Sequence, residues 1–390
     1  MRAHLADLCC DEPIASPRFR GTQAAADAAL AAFDVTGYAA RRNDVFPARR
    51  RGASGLSPWI RHGLLTLPTV WDSVAGPSRD VEKFRDELRW QEYSRHLYAR
   101  VGYATRSPLR SDPRPQHSDA RDRSDPWDRS MLCVDTALAE LEGDGWLVNQ
   151  TRMWLASQWT VRHGADWRVG EDRFFAHLLD GSRAANRLGW QWTIGAATGK
   201  PYGFSRWQVN KRAPGLCERC ERRDRCPIES WPTDRSLSAV SEPEGIRSTH
   251  DVSVSAGPVS LLSSGDPSAV WITAESLGDA DPALRSHPDL PVIFVFDEPL
   301  LRRLRLSGKR LIFLAERLAE LGLTRELMLI RGSPVEVLAA SRIAVTYTPV
   351  PGWRRIAETL QPAVVHPWPW LHRPGTGSVA SFSAWRNALR

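Results

Sequence analysis

Cys217, Cys220 and Cys226 stand together in LCERCERRDRCP, and Cys133 lies far upstream in RSMLCVD. Four thiolates close a tetrahedral site around one zinc ion or hold one iron–sulfur cluster, and a cysteine followed by proline, as at Cys226-Pro227, recurs in ferredoxin-type cluster runs. Residue types alone leave both metals open. A site closed by four thiolates has no open position for a substrate, so its metal ties helices together instead of acting on a bond. Six cysteines in 390 residues are too few for a disulfide framework, and a C-x2-C pair in a reducing compartment reads as a metal or redox site. Cys9 and Cys10 read as incidental thiols, because adjacent cysteines in a polar segment lack a geometry for sharing one ligand site.

The elements that must position these thiols are helical. FRDELRWQEYSRHLYARVG, MLCVDTALAELEGDGWL, NQTRMWLASQWTVRHG and GEDRFFAHLLDG place apolar side chains at three- and four-residue intervals, with glycine or a turn former after several of them. Residues 1–232 are therefore expected to form a helical domain. Residues 233–264 turn to Ser, Pro, Glu and Gly and read as a linker. Beyond it AVWIT, PVIFVFD, ELMLIRG, RIAVTYT and PAVVHPW alternate with helical stretches such as RLIFLAERLAELGL, which predicts a parallel α/β sheet over 265–390. The fold class is thus α + α/β, with the helical part first.

Composition is that of a globular protein, with 42% hydrophobic and 25% charged residues, and no stretch approaches the roughly 20 apolar residues of a membrane span. The N-terminal residues mix acids, prolines and arginines where a secretory signal needs a continuous apolar run, so a cytoplasmic protein is expected. A formal charge of +7 permits a polyanionic partner without requiring one. Arg41-Arg42 and Arg49-Arg50-Arg51 could meet phosphates if they line a groove. Seventeen tryptophans exceed ordinary core needs, and some could stack on bases or carry electrons.

DWRVGEDRFFAHLLDGSRAANRLGWQW resembles the flavin-binding core of the DNA photolyase and cryptochrome family, and further blocks extend the likeness. TGYAARRNDVFPARRRGASGLSPWIRHGLLT is similar to the block that holds the FAD phosphates, which implies roles for Tyr38, Ala53, Ser54, Gly55, Leu56 and Ser57. FRDELRWQEYSRHLY implies a pocket carboxylate at Glu87 and an aromatic wall at Trp90. Phe84 stands there where several relatives use tryptophan, and Gln91 where the family has an arginine near the phosphates. GDGWLVNQTRMW implies that Asn149 and Arg152 face the flavin ring and Met153 the substrate. In LLDGSRAANRLGWQW the resemblance assigns Asp180 to the polar ring edge, Asn186 to the reactive ring nitrogen, Trp190 to the proximal electron-relay position and Trp192 to the second pocket wall, with Ser182 replacing a second aspartate. Trp167 is similar to the middle relay tryptophan, and Trp127 is a candidate for the outer one.

The cysteine distribution resembles the bacterial branch of that family with a [4Fe–4S] cluster, which implies ligation by Cys133, Cys217, Cys220 and Cys226, with zinc as the alternative. That branch's paired histidines beside the flavin are replaced by Val148-Asn149. The family places its α/β domain first, so this chain looks like a circular permutant. The resemblance implies a light-dependent flavoprotein that repairs cyclobutane pyrimidine dimers in damaged DNA by electron transfer from reduced FAD, acting as a monomer away from membranes, with an unidentified antenna chromophore. The alternatives are a cryptochrome-like blue-light receptor without repair activity and a zinc-stabilised nucleic-acid-binding module.

Overall fold

The computed structural model describes residues 2–113, 125–232 and 237–389. The longest helix, Ser78–Val101, starts after Pro77 with Asp80 in its first turn and stops at Gly102, whose φ of 53° favours glycine. It buries Phe84 and Leu88 in one apolar cluster and Tyr93 and Leu97, on its opposite face, in another. Shorter helices Leu132–Gly143, Asn149–Ala156, Trp167–His177, Ala185–Thr193 and Arg206–Arg212 pack around it or on one another, and Asn149–Ala156 runs on into a π-helical turn, Ser157–Arg162. At the start of Arg206–Arg212 Ser205 N donates to Gln208 Oε1 at 3.1 Å, which fixes the entry to the cysteine-rich loop.

Two short strands, β1 (Ser111–Asp112) and β2 (Ser238–Ala239), pair antiparallel. The main sheet contains β3 (Leu262–Ser263), β4 (Ala269–Ile272), β5 (Val292–Asp297), β6 (Leu327–Gly332), β7 (Ile343–Thr346) and β8 (Val364–His366) in the order β3-β8-β7-β4-β5-β6. β4 through β8 run parallel, and β3 adds an antiparallel edge. The chain goes outward from β4 to β6, then returns to the other side of β4, which is the doubly wound arrangement. Every residue of β4 and β7 is buried, as is Val292–Phe296 in β5, because parallel strands are covered on both faces. Helices followed by a parallel-dominated sheet are therefore the architecture of this chain.

The two parts share a core. One apolar cluster runs from Leu5 and Leu8 through Trp59 and Phe84 to Val270, Phe294 and Phe313. Segment 233–264, expected to be a linker, holds β2, the helical turn Ser253–Ala256 and β3 among its described residues. These short pieces escape a sequence pattern because their partners, Ser111–Asp112 and Val364–Val365, lie far away in the chain. After β8 the chain returns to the helical part, and the last helix, Phe382–Ala388, packs on Ser78–Val101. Among the described residues no helix is long and apolar enough to cross a membrane.

Candidate functional site

Three separate stretches meet beside Asp180. Leu179 N donates to Gly145 O (2.8 Å), Arg61 Nε donates to Gly181 O (3.0 Å), and Trp146 Nε1 donates to Ser57 Oγ (3.0 Å). Asp180 accepts both ends of the Arg152 guanidinium, at 3.1 and 2.7 Å, while Arg152 Nε donates to Leu147 O at 3.1 Å. This bidentate, largely buried pair fixes a flat cation in one orientation. Asn149 opens the same helix and is exposed, and Met153 is half-buried.

Asn186 sits in the first turn of Ala185–Thr193. Its Nδ2 donates to Glu171 Oε1 (3.1 Å) and Glu171 O (3.3 Å). Both amide protons are thus directed at one residue, which leaves the carbonyl Oδ1 as the acceptor end. Glu171 is itself buried, pairs with Arg183 and Arg187, and has its carboxyl pushed up by burial against the pull of those two cations. Ser182 takes a structural part: its Oγ accepts from Ala185 N at 2.9 Å and holds the entry to the Asn186 helix.

The expected phosphate loop is compact. Gly55 has φ 71°, a conformation that favours glycine, and Arg18 approaches it within 3.9 Å of where a Cβ would stand. The Arg18 guanidinium lies over Trp146 at 4.6 Å. Leu56 is buried, whereas Ala53, Ser54 and Ser57 are half-buried and keep small side chains at the surface of the loop. Tyr38 packs edge-on against Phe84 at 5.1 Å, and burial drives its phenol well above the ordinary range. Gln91 is half-buried on the long helix. Among the arginine clusters, Arg42 pairs with Glu87, Arg50 with Asp44 and Arg51 with Glu140, and Arg41 donates to Thr36 O. These side chains are engaged by the protein itself.

The expected pocket walls are treated unequally. Glu87 pairs with Arg42 (3.2 Å) and Lys83 (2.9 Å). Trp90, one turn on, is stacked face to face on Phe382 of the last helix, with ring centroids 3.9 Å apart and planes 10° apart. Trp192 is 41% exposed, with Tyr202 at 6.2 Å. One face of Trp90 is therefore taken by the C-terminal helix, while Trp192 is open.

Buried aromatic rings continue from Trp190 through Phe174 (5.1 Å) and Trp127 (5.6 Å) to Trp159 (4.7 Å). A Cβ on Gly170 would fall 2.3 Å from the Trp190 ring and 3.0 Å from the Trp159 ring, so the glycine lets both indoles close on one helix. Trp167 is buried in the same cluster with Arg168 over its ring. Trp159 and Glu171 were missed by sequence reasoning. The signal for both was the glycine preceding Glu171, which marks a close approach.

Cys133, Cys217, Cys220 and Cys226 line one small cavity together with Met131, Arg206 and Ile228. Burial pushes the Cys133 thiol up, and the other three cysteines add to it, the reverse of what a cation in the cavity would do. Among the described residues no three of these sulfurs lie mutually within 4.8 Å. Tetrahedral zinc with Zn–S near 2.3 Å needs thiolates about 3.8 Å apart. A cubane holds each thiolate on a different iron and spaces them more widely.

Residues 84–210 match the family described as the FAD binding domain of DNA photolyase. The deoxyribodipyrimidine photo-lyase of a Synechococcus species is 30% identical over 172 residues, covering 41% of this chain and 35% of the relative. That of Vibrio cholerae is 32% identical over 169 residues, covering 40% and 36%. The chain thus spans about a third of the length of the curated relatives it matches. Among solved structures, a bacterial class III photolyase from Agrobacterium tumefaciens is 26% identical with a TM-score of 0.38, over 44% of this chain and 37% of that one. A Synechocystis cryptochrome is 21% identical with a TM-score of 0.44, over 52% and 45%.

Proposed function

From a chain that belongs to the photolyase and cryptochrome family through residues 84–210, we propose a light-driven FAD flavoprotein that splits pyrimidine dimers in DNA. The observation that carries the reading is the pairing of Arg152 with Asp180 beside an Asn186 whose amide is held by Glu171, all inside the matched domain. These residues fit a flavin ring edge: a fixed cation, a carboxylate behind it and an outward amide oxygen match a group whose ring nitrogens and carbonyls change protonation with oxidation state. When bound, FAD supplies light absorption and one-electron chemistry. Arg152 would hold a ring carbonyl, Asn186 Oδ1 would accept from a protonated ring nitrogen, and the small loop Ala53, Ser54, Gly55, Leu56 and Ser57 would admit the phosphates. Tyr38 and Asn149 would border them. Phe84 fills where an indole would also donate, and Gln91 and Ser182 contribute neutral polarity. The indoles Trp190, Trp167, Trp127 and Trp159 would serve as one-electron donors, with bound FAD as the oxidant that receives the electron.

On the substrate side, a dimer must leave the duplex to reach the site, at a cost of a few kcal/mol lowered by the lesion's weakened stacking. Glu87 would hydrogen-bond the dimer's carbonyl as charge develops, Trp90 and Trp192 would flank it, and Met153 would pack beneath. A specific observation favours the alternative, a blue-light receptor without repair: Phe382 covers Trp90. Repair then requires the last helix to yield. The antenna chromophore is unassigned, and we read the order of helices before sheet as a circular permutation joined through 233–264, with domains at 1–232 and 265–390.

We assign Cys133, Cys217, Cys220 and Cys226 to a [4Fe–4S] cluster in preference to zinc, supported by their shared cavity in a chain read as a redox flavoprotein. Anaerobically purified protein is expected to show flavin bands over a broad iron–sulfur shoulder, with the shoulder lost and the helical part destabilised in any Cys→Ser variant, because metal binding is coupled to folding. Stoichiometric zinc without iron would overturn the assignment.

A further inference from the structure

Cys10, read above as an incidental thiol, lies beside Asp11 and His177, and one ligand atom of each falls within 4.8 Å of the other two. Backbone contacts build the place. Cys10 N donates to Leu306 O (2.9 Å), Ser307 N donates to Ala176 O (2.9 Å), and Gly308 N donates to Asp11 Oδ1 (2.6 Å). With Oδ1 held, Asp11 Oδ2 faces His177 Nδ1 at 3.7 Å and Lys309 Nζ at 3.8 Å. Neither distance is a hydrogen bond. His177 Nδ1 is buried and has no hydrogen-bond partner among the described residues, an uncompensated cost that a ligand would remove.

We propose that Cys10 Sγ, Asp11 Oδ2 and His177 Nδ1 bind one divalent ion of the zinc type, with water as the fourth ligand. Thiolate, imidazole and carboxylate together are a borderline donor set that suits zinc. Ligand bonds of about 2.0–2.3 Å at tetrahedral angles place donor atoms roughly 3.3–3.7 Å apart. The Asp11–His177 separation already matches. Cys10 is exposed, and its Sγ already lies within 4.8 Å of both other donor atoms. Thiolate and carboxylate neutralise the ion, Lys309 remains outside it, and the Gly308 N–H on Oδ1 supplies the outer hydrogen bond that orients a ligating carboxylate. Cys9 takes no part, since its buried Sγ donates to Leu5 O at 3.2 Å.

His177 ends the helix Trp167–His177, three residues before Asp180. The ion would tie the N-terminal segment and the start of Gly308–Leu321 to the chain that delivers Asp180, so it belongs to the fold and not to the four-cysteine cavity. The test titrates the full chain with cobalt(II). Wild type and Cys9→Ser are expected to bind one equivalent more than Cys10→Ser or His177→Gln, and the thiolate-to-cobalt charge-transfer absorption to be greater in wild type and Cys9→Ser than in Cys10→Ser. Zinc should raise the thermal midpoint of wild type and leave His177→Gln unmoved. The four-cysteine cavity is common to all variants and cancels. Equal stoichiometry and an equal zinc shift in wild type, Cys10→Ser and His177→Gln overturn the proposal. If Cys10→Ser does not fold, His177→Gln with native circular dichroism decides it alone, and flavin binding is read separately by absorption.

Discussion

Asn186 reaches Glu171 with both protons of its amide nitrogen, so its orientation is set by a buried glutamate that is itself held by Arg183 and Arg187. Replacing Asn186 by alanine removes an acceptor and leaves Glu171 short of a donor. Slower flavin photoreduction with the fold retained is the expected outcome, measured by absorption under blue light, and an unchanged rate would detach Asn186 from the flavin. Arg152→Ala strands Asp180, and because a hydrogen bond to a charged group contributes about 1.5–3 kcal/mol, FAD affinity should fall by roughly 10- to 100-fold in a flavin titration. The four cysteines stood out by type and spacing, whereas Asp180, Asn186 and Trp190 were singled out only by the resemblance of LLDGSRAANRLGWQW to the family's flavin block. Glu171 was not, because its role comes from Arg183, Arg187 and Asn186 converging on it, and a lone glutamate in GEDRFF reads as an exposed helix face.

The elements followed the grammar of the chain where neighbours in sequence are neighbours in space. AVWIT and PVIFVFD form buried central strands because their apolar runs are continuous, and the long helix closes at Gly102 as its composition requires. What sequence could not foretell was the course of the last helix. Phe382, Tyr93 and Trp385 form one aromatic group on Ser78–Val101, Tyr93 Oη donates to Val379 O, and Trp385 Nε1 donates to His96 Nδ1. Nothing local in SFSAWRNAL specifies that partner. The stack on Trp90 gives opposite signs for two variants. Phe382→Ala should bind dimer-containing DNA more tightly than wild type, since it frees the indole face, at a stability cost of about 3–5 kcal/mol for a buried phenylalanine. Trp90→Ala should bind it more weakly, by about 1–3 kcal/mol for one lost stacking platform. Equal DNA affinity in wild type and both variants, measured by fluorescence anisotropy, would remove Trp90 from the substrate wall.

Across the whole molecule, His62 joins the two parts. Its Nδ1 lies 2.6 Å from Ala274 O beyond β4, and its Nε2 lies 3.1 Å from Leu179 O beside Asp180. Two carbonyl acceptors favour a doubly protonated ring, but complete burial, with Arg61 and Arg310 nearby, outweighs them and pushes the pKa down to about 3. The unfolded chain takes up this proton near pH 6.5 while the folded one does not, so the stability tied to neutral His62 is full above about pH 6.5 and is lost as pH falls toward 3. His62→Gln should flatten the dependence of the thermal midpoint on pH between about 6.5 and 4.5, and an unchanged slope would place the acid sensitivity elsewhere. The central claim concerns what light does once the flavin is in place. The most direct measurement is dimer loss from oligonucleotides mixed with reduced, FAD-loaded full-length protein, compared under blue light and in darkness. The account predicts loss in light alone, faster for Phe382→Ala than for wild type. Unchanged dimers in both single- and double-stranded DNA, with flavin absorption confirming a loaded site, would contradict it.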